Sequence, residues 1–165
     1  MLSKKGNMLF LPRWQFSVIV YLFCSISINA AAGDLDAAFG PVGFITTNLG
    51  SGADRAYAVA RQPDGRIVAA GIRNNGASIA VVRYNPDGTP DISFDGDGVV
   101  TIFNGNFSNE ARAIAIQPDG KIVLAGTSSN AGNVLFTVIR LNSNGSLDTT
   151  FDGDGIFTDS TVGEP

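Results

Sequence analysis

Phe39, Gly43, Gln62-Pro63-Asp64-Gly65, Ile67-Val68 and Gly71 return 55 residues later as Phe94, Gly98, Gln117-Pro118-Asp119-Gly120, Ile122-Val123 and Gly126. From Arg83-Tyr84-Asn85 to Arg140-Leu141-Asn142 the offset becomes 57, and it holds through Asp87-Gly88 and Asn144-Gly145, Asp91 and Asp148, and Phe94 and Phe151. Two residues have therefore entered between Gly126 and Arg140. An insertion that leaves both flanks in register belongs in a loop, where added length costs little closure entropy. Self-similarity of this kind narrows the fold sharply, because each unit is one supersecondary element that buries its apolar side against a neighbour.

Within each unit the apolar period is two. Tyr57, Val59 and Arg61 alternate with Ala58, Ala60 and Gln62, and Arg66 to Ala70 follows directly after Pro63-Asp64-Gly65. An Asp-Gly pair beside a β-prone run is a hairpin signature, since glycine accepts the positive φ of a tight turn. The second unit repeats it as Ala113 to Gln117, Pro118-Asp119-Gly120 and Lys121 to Ala125. A third strand is expected at Ile79 to Tyr84 and Leu135 to Leu141, closed by Asn85-Pro86-Asp87-Gly88 and Asn142-Ser143-Asn144-Gly145. A short fourth strand is expected after each Phe-x-x-x-Gly, at Gly43 to Thr47 and Gly98 to Ile102. The alanine-rich run Asn109 to Ile116 has a helical alternative. Its counterpart in the first unit leads straight into the same Pro-Asp-Gly turn, which favours strand.

Four strands in about 55 residues, joined by short turns, describe a blade of a β-propeller, whose blades are four-stranded and of similar length. The fold expected is all-β: tandem four-stranded blade-like repeats resembling part of a β-propeller. The units run 33–89 and 90–146, with the start of an incomplete third at 147–165. A closed propeller takes at least about four blades, so the chain looks incomplete: a product truncated before the array closes and part of a larger repeat array, or, as the alternatives, one completed by other copies or by strand exchange at its ends. Glycine (20) and proline (7) together fill about one position in six of the 165, against about one in eight on average. That excess suits many short strands.

The run Ala113 to Gly126 (Ala-x-Ala-x-Gln-Pro-Asp-Gly-Lys-Ile-Val-x-Ala-Gly) and the run Arg83 to Gly98 resemble the delta-60 repeat family of exported bacterial proteins. The resemblance covers about Gly33 to Thr158. It implies a propeller-like array, often one part of a larger surface or secreted protein, with no general catalytic role. Two positions depart from the pattern: Pro90 stands where Leu35 and Leu147 keep leucine, and Arg61 replaces the aliphatic residue seen at Ile116. A proline there is expected to weaken one strand end.

Residues 1–32 read differently. Lys4, Lys5 and Arg13 precede the apolar run Phe16 to Ile28, and Ala30-Ala31-Ala32 follows. Thirteen helical residues would reach about 20 Å, short of a roughly 30 Å hydrocarbon layer. The pattern is that of a secretory signal cleaved after Ala30, Ala31 or Ala32. It places the chain outside the cytoplasm, secreted, periplasmic or at the cell surface, with no stable membrane insertion afterwards. An uncleaved anchor and a lipid on Cys24 are the weaker alternatives; the bulky Tyr21-Leu22-Phe23 argues against lipidation. Cleavage removes three of the 11 cationic residues, none of the 15 acidic ones, and the sole cysteine. The remainder, at a net charge of about −7, lacks the basic stripe that nucleic acid requires and must fold without a disulfide.

Chemistry is sparse. With no histidine in the chain, the usual base of a Ser/His/Asp or Cys/His site is missing, and so is the commonest zinc ligand. Asp91, Asp95 and Asp97, and Asp148, Asp152 and Asp154, place three carboxylates within seven residues among glycines. Calcium takes oxygen ligands from such loops. The competing reading is structural, because aspartate ends strands and bonds its own turn backbone. A glycosidase pair would need two carboxylates facing each other across a cleft, and the chain offers only Glu110 and Glu164 as glutamates. No Gly-rich loop leads into a helix with a P-loop lysine. Arg83 and Arg140 are expected to pair with turn aspartates such as Asp64 and Asp119, and Phe39, Phe94 and Phe151 to fill the space between blades. The reading is a non-enzymatic structural or interaction module without a cofactor, presenting the loops Arg73 to Ser78 and Ser128 to Asn133 to a protein or glycan. A calcium-stabilised or carbohydrate-binding surface domain is the alternative.

Overall fold

The computed structural model describes residues 33–103, 108–130 and 133–159. The segment read as an export signal, with Cys24, lies outside them. The described chain forms two antiparallel four-stranded sheets, each a simple meander. The first holds β1 (Arg55–Arg61), β2 (Ile67–Arg73), β3 (Ser78–Tyr84) and β4 (Val99–Ile102). The second holds β5 (Ser108–Ile116), β6 (Ile122–Asn130), β7 (Asn133–Leu141) and β8 (Ile156–Asp159). The all-β, blade-like architecture is thus observed, and Asn109 to Ile116 is strand.

Alternation decides which side of each sheet is buried. In the first blade Val68, Ala70, Ile79, Val81, Val100 and Ile102 share one face, here called the front, as their register shows. They join Phe94 and the second blade's Ala111, Ile122, Leu124, Ile139 and Leu141 in one core. The second blade contributes its back face, the side equivalent to Ile67, Ala69 and Val82 in the first. The two sheets therefore stack front to back, like successive pages, and the core is the gap between them.

The first strand of each blade, β1 and β5, carries a bulge at the same place, between Ala56 and Ala58 and between Ala111 and Ala113. The extra residues, Tyr57 and Arg112, stand 55 apart in sequence and meet across the blades, with the guanidinium 4.8 Å from the ring centroid. The bulge accounts for the recurring glycine. A Cβ on Gly71 would lie 1.9 Å from the Arg55 carbonyl oxygen, and one on Gly126 would lie 1.8 Å from that of Glu110.

Four expectations need correction. Gly43–Thr47 is not a strand: among the described residues no strand pairs with it, and residues 45–49 lie across the back of the first blade, where Thr47 and Tyr84 share a hydroxyl hydrogen bond of 2.6 Å. The insertion lengthens a hairpin more than a loop. Where the first blade turns through Asn74–Gly76, β6 and β7 continue for two further pairs, Ser129 with Val134 and Asn130 with Asn133. The proposed presenting loop Ser128 to Asn133 is therefore largely strand, and Ser128 is buried with its hydroxyl 2.8 Å from that of Thr137. Pro90 weakens nothing visible. Tyr84 bridges Pro90 as Leu141 bridges Leu147, and the adjacent hydrogen bonds, Asp91 N–H to the Arg83 carbonyl and Asp148 N–H to that of Arg140, are both 2.9 Å.

Candidate functional site

The recurring charged residues gather in one cluster per blade, and that of the first blade lies at one end of the seam between the two. Asp91 follows β3 by one short turn, and its Oδ1 accepts from the Ser93 N–H (3.1 Å) and hydroxyl (2.7 Å), which folds the loop back over the sheet. Its Oδ2 then faces the end of β3, where Arg83 Nε donates at 2.7 Å, and the start of β2, where Arg66 Nε lies at 2.8 Å. Both the Arg83 and Asp91 side chains are buried. The guanidinium also donates to the Ser93 hydroxyl (3.0 Å) and stacks 4.5 Å from the centre of the Phe94 ring. In the second blade Asp148 accepts from the Thr150 hydroxyl (2.7 Å) and Arg140 Nε (2.6 Å) and faces Lys121 Nζ (3.1 Å), while Arg140 stacks 4.8 Å from Phe151.

The partners differ from those expected. Arg83 and Arg140 pair with Asp91 and Asp148; Asp64 and Asp119 are exposed and face Arg66 and Lys121. Arg66 and Lys121 are the members that sequence reasoning overlooked. Their signal was available, since both are cations directly after the repeated Pro-Asp-Gly.

Burial pushes the Asp91 carboxyl upward, but the Ser93 hydrogen bonds and the Arg83 charge outweigh it, so it titrates below the usual carboxylate value. The Thr150 hydroxyl, against the opposing effect of burial, leads Lys121, the Thr150 N–H and Arg140 in holding Asp148 far below that range. Both carboxylates are ionised at neutral pH.

The first blade's cluster also grips its neighbour. Arg83 Nη1 donates to the Ser143 carbonyl, the Asp95 N–H donates to that of Asn144 at 2.9 Å, and the Phe94 ring lies beneath Gly145. A Cβ on Gly145 would come within 3.1 Å of that ring and 2.8 Å of Val100, and φ there is +96°. One repeat earlier the same contact recurs in reduced form. The Gly40 N–H donates to the Asp87 carbonyl at 2.7 Å and the Phe39 ring lies 3.2 Å from a Cβ on Gly88.

The six aspartates proposed as calcium ligands are not gathered. Asp91 and Asp148 are engaged by cations. Asp97 and Asp154 accept from the N–H of Val99 and Ile156, both at 2.8 Å, and so start β4 and β8. Asp95 and Asp152 are exposed at positive φ, 54° and 51°. Among the described residues no three acidic side chains form a group suited to a metal ion. Between the two Pro-Asp-Gly turns lies an open cleft of about 510 Å³ bordered by Gln62, Asp64, Arg66, Asp119 and Asn144. Two serines line it, Ser93 and Ser143, and the Ser93 hydroxyl is held between Asp91 and Arg83.

The clusters are also where the comparisons fall. Residues 62–94 and 117–151 match the family model described as "Domain of unknown function (DUF5122) beta-propeller". Both stretches are similar to a propeller repeat. Each runs from the glutamine before the Pro-Asp-Gly turn to the phenylalanine of the cluster, so the matched unit is the hairpin β2–β3 in the first blade and β6–β7 in the second, with the residues that tie it down. No curated protein matches the chain.

Proposed function

We propose that the chain is an extracytoplasmic structural or interaction module made of propeller-like repeats, akin to the delta-60 family, and that it carries out no reaction of its own. The observation behind this reading is the use to which the recurring polar residues are put. Arg83, Asp91, Ser93 and Arg66 bind one another and the adjacent blade, so the repeated chemistry serves assembly. The family match on the same residues points the same way. Export is the expectation drawn from the cationic and apolar pattern of residues 1–32.

Thermal melting with added calcium tests the module against its rival. The expected result is an unchanged midpoint up to millimolar calcium, the range of extracellular sites. A rise that disappears in the Asp95→Ala/Asp97→Ala variant would replace the module by a calcium-stabilised domain.

A further inference from the structure

The interface between the two blades is offered again, unfilled, at both ends of the described molecule. On the front of the first blade Ile79 is 3% and Val100 6% exposed, because the second blade covers them. Their counterparts on the front of the second blade, Phe136 and Phe157, are 43% and 37% exposed. Val123, Ala125, Val138 and Phe151 share that side and are only half-buried, against full burial of Val68, Ala70, Val81 and Phe94. The opposite end shows the complement. Ile114, on the back of the second blade, packs on the core, whereas Val59 at the same position in the first blade is 69% exposed.

Among the described residues, the back of the first blade is covered by residues 36–49, and incompletely. That segment supplies Phe39 and the Gly40 N–H but no arginine equivalent to Arg83, and a cavity of about 260 Å³ remains between Ile45, Leu49 and the small residues Ala69, Gly71 and Ala80. Side-chain sizes are matched across the two ends. The second blade's front is bulkier than the first's, with Phe136 and Phe157 for Ile79 and Val100. The first blade's back is slighter than the second's, with Ala69 for Leu124 and Ala80 for Thr137.

We infer that the front of the second blade docks on the back of the first blade of another copy of this chain, taking the place of that copy's residues 36–49. Arg140, Phe151 and the Asp152 N–H then meet the Asn85-Pro86-Asp87-Gly88 turn as Arg83, Phe94 and the Asp95 N–H meet Asn142-Ser143-Asn144-Gly145. The contact is head to tail, so it generates rings or open chains of blades instead of closed two-fold dimers. This inference rests on the module reading and names the module's partner.

Sedimentation velocity of the purified chain across the micromolar range tests it. The wild type should gain mass with concentration. Phe136→Asp/Phe157→Asp, which alters only the front of the second blade, and Val59→Asp, which alters only the back of the first, should each remain monomeric. An equimolar mixture of those two variants retains one intact front and one intact back and should give a mass of two chains that grows no further. Phe39→Ala loosens the competing segment and should lower the association midpoint about tenfold. Circular dichroism of each variant checks that the sheets persist. A wild type and Phe39→Ala that both stay monomeric overturn the inference and leave the face to a different occupant. Association that survives both face variants, or variants that fail to complement, overturns it too. A calcium-dependent melting shift with monomer throughout would instead sink the module reading.

Discussion

Asp91 shows how much one carboxylate can hold in place. It turns its own loop through Ser93 and neutralises two arginines, and one of these reaches the next blade. Asp91→Asn keeps the shape and the turn but leaves Arg83 buried without its counter-charge, which costs about 3 kcal/mol. The acid dependence follows from the direction of the shift. A carboxyl titrating lower when folded than when unfolded stabilises the fold above its unfolded value, near pH 4, and loses that contribution as pH falls through the folded value. The melting midpoint of the wild type should thus be level above about pH 5 and fall below about pH 4, while Asp91→Asn, lower throughout, should fall less steeply. An identical slope in the two proteins would remove Asp91 from the account. The existence of an Arg–Asp contact was legible in the repeat, because Arg83 and Arg140 both end an apolar strand. The choice of partner was not, since Asp64 and Asp91 are both turn aspartates and only the return of the loop over the sheet brings Asp91 to the arginine.

At the level of strands, the hairpins followed directly from alternation and the Pro-Asp-Gly turns, which lie at the same offset in both units. What escaped was pairing between distant segments. Gly43–Thr47 is as β-prone as β4 and follows the same Phe-x-x-x-Gly, but a strand needs a ladder partner, and composition says nothing of whether one is present. The bulges were hidden for a similar reason: one extra residue in a strand of small side chains leaves the alternation nearly intact, and its mark is the glycine opposite. Gly126→Ala tests that account. Its added carbon would sit 1.8 Å from the backbone oxygen of Glu110, so the ladder must yield, at about 3 kcal/mol. Gly96→Ala has open space around it at φ +90° and bears only the left-handed strain, about 1 kcal/mol. Equal losses in chemical denaturation would mean that the bulge has relaxed.

Over the whole molecule the decisive fact is that neither sheet has a core of its own. The buried cluster draws Val68, Val81, Phe94 and Val100 from one and Ile122, Leu124, Ile139 and Leu141 from the other. Scanning calorimetry should therefore show one transition, with calorimetric and van't Hoff enthalpies in agreement; two resolved transitions would mean that each blade stands alone. The blade architecture could be read from the repeat, and the order of stacking could not, because periodicity fixes which residues share a side but leaves open which side meets which neighbour. The acidic turns show the same gap. Three aspartates within seven residues share a loop in sequence, and the pairing of Asp91 with Arg83 and of Asp148 with Arg140 draws one of each three inward and leaves the other two exposed.

Pro90 carries a last consequence. The bridge it makes relies on the N–H of the following residue, so the main chain sets no requirement there. Its counterpart Leu147 packs against the core, whereas Pro90 is exposed. The identity of that residue is thus dictated by whatever stands across the gap, and its spelling in any copy of the repeat records the company that copy keeps.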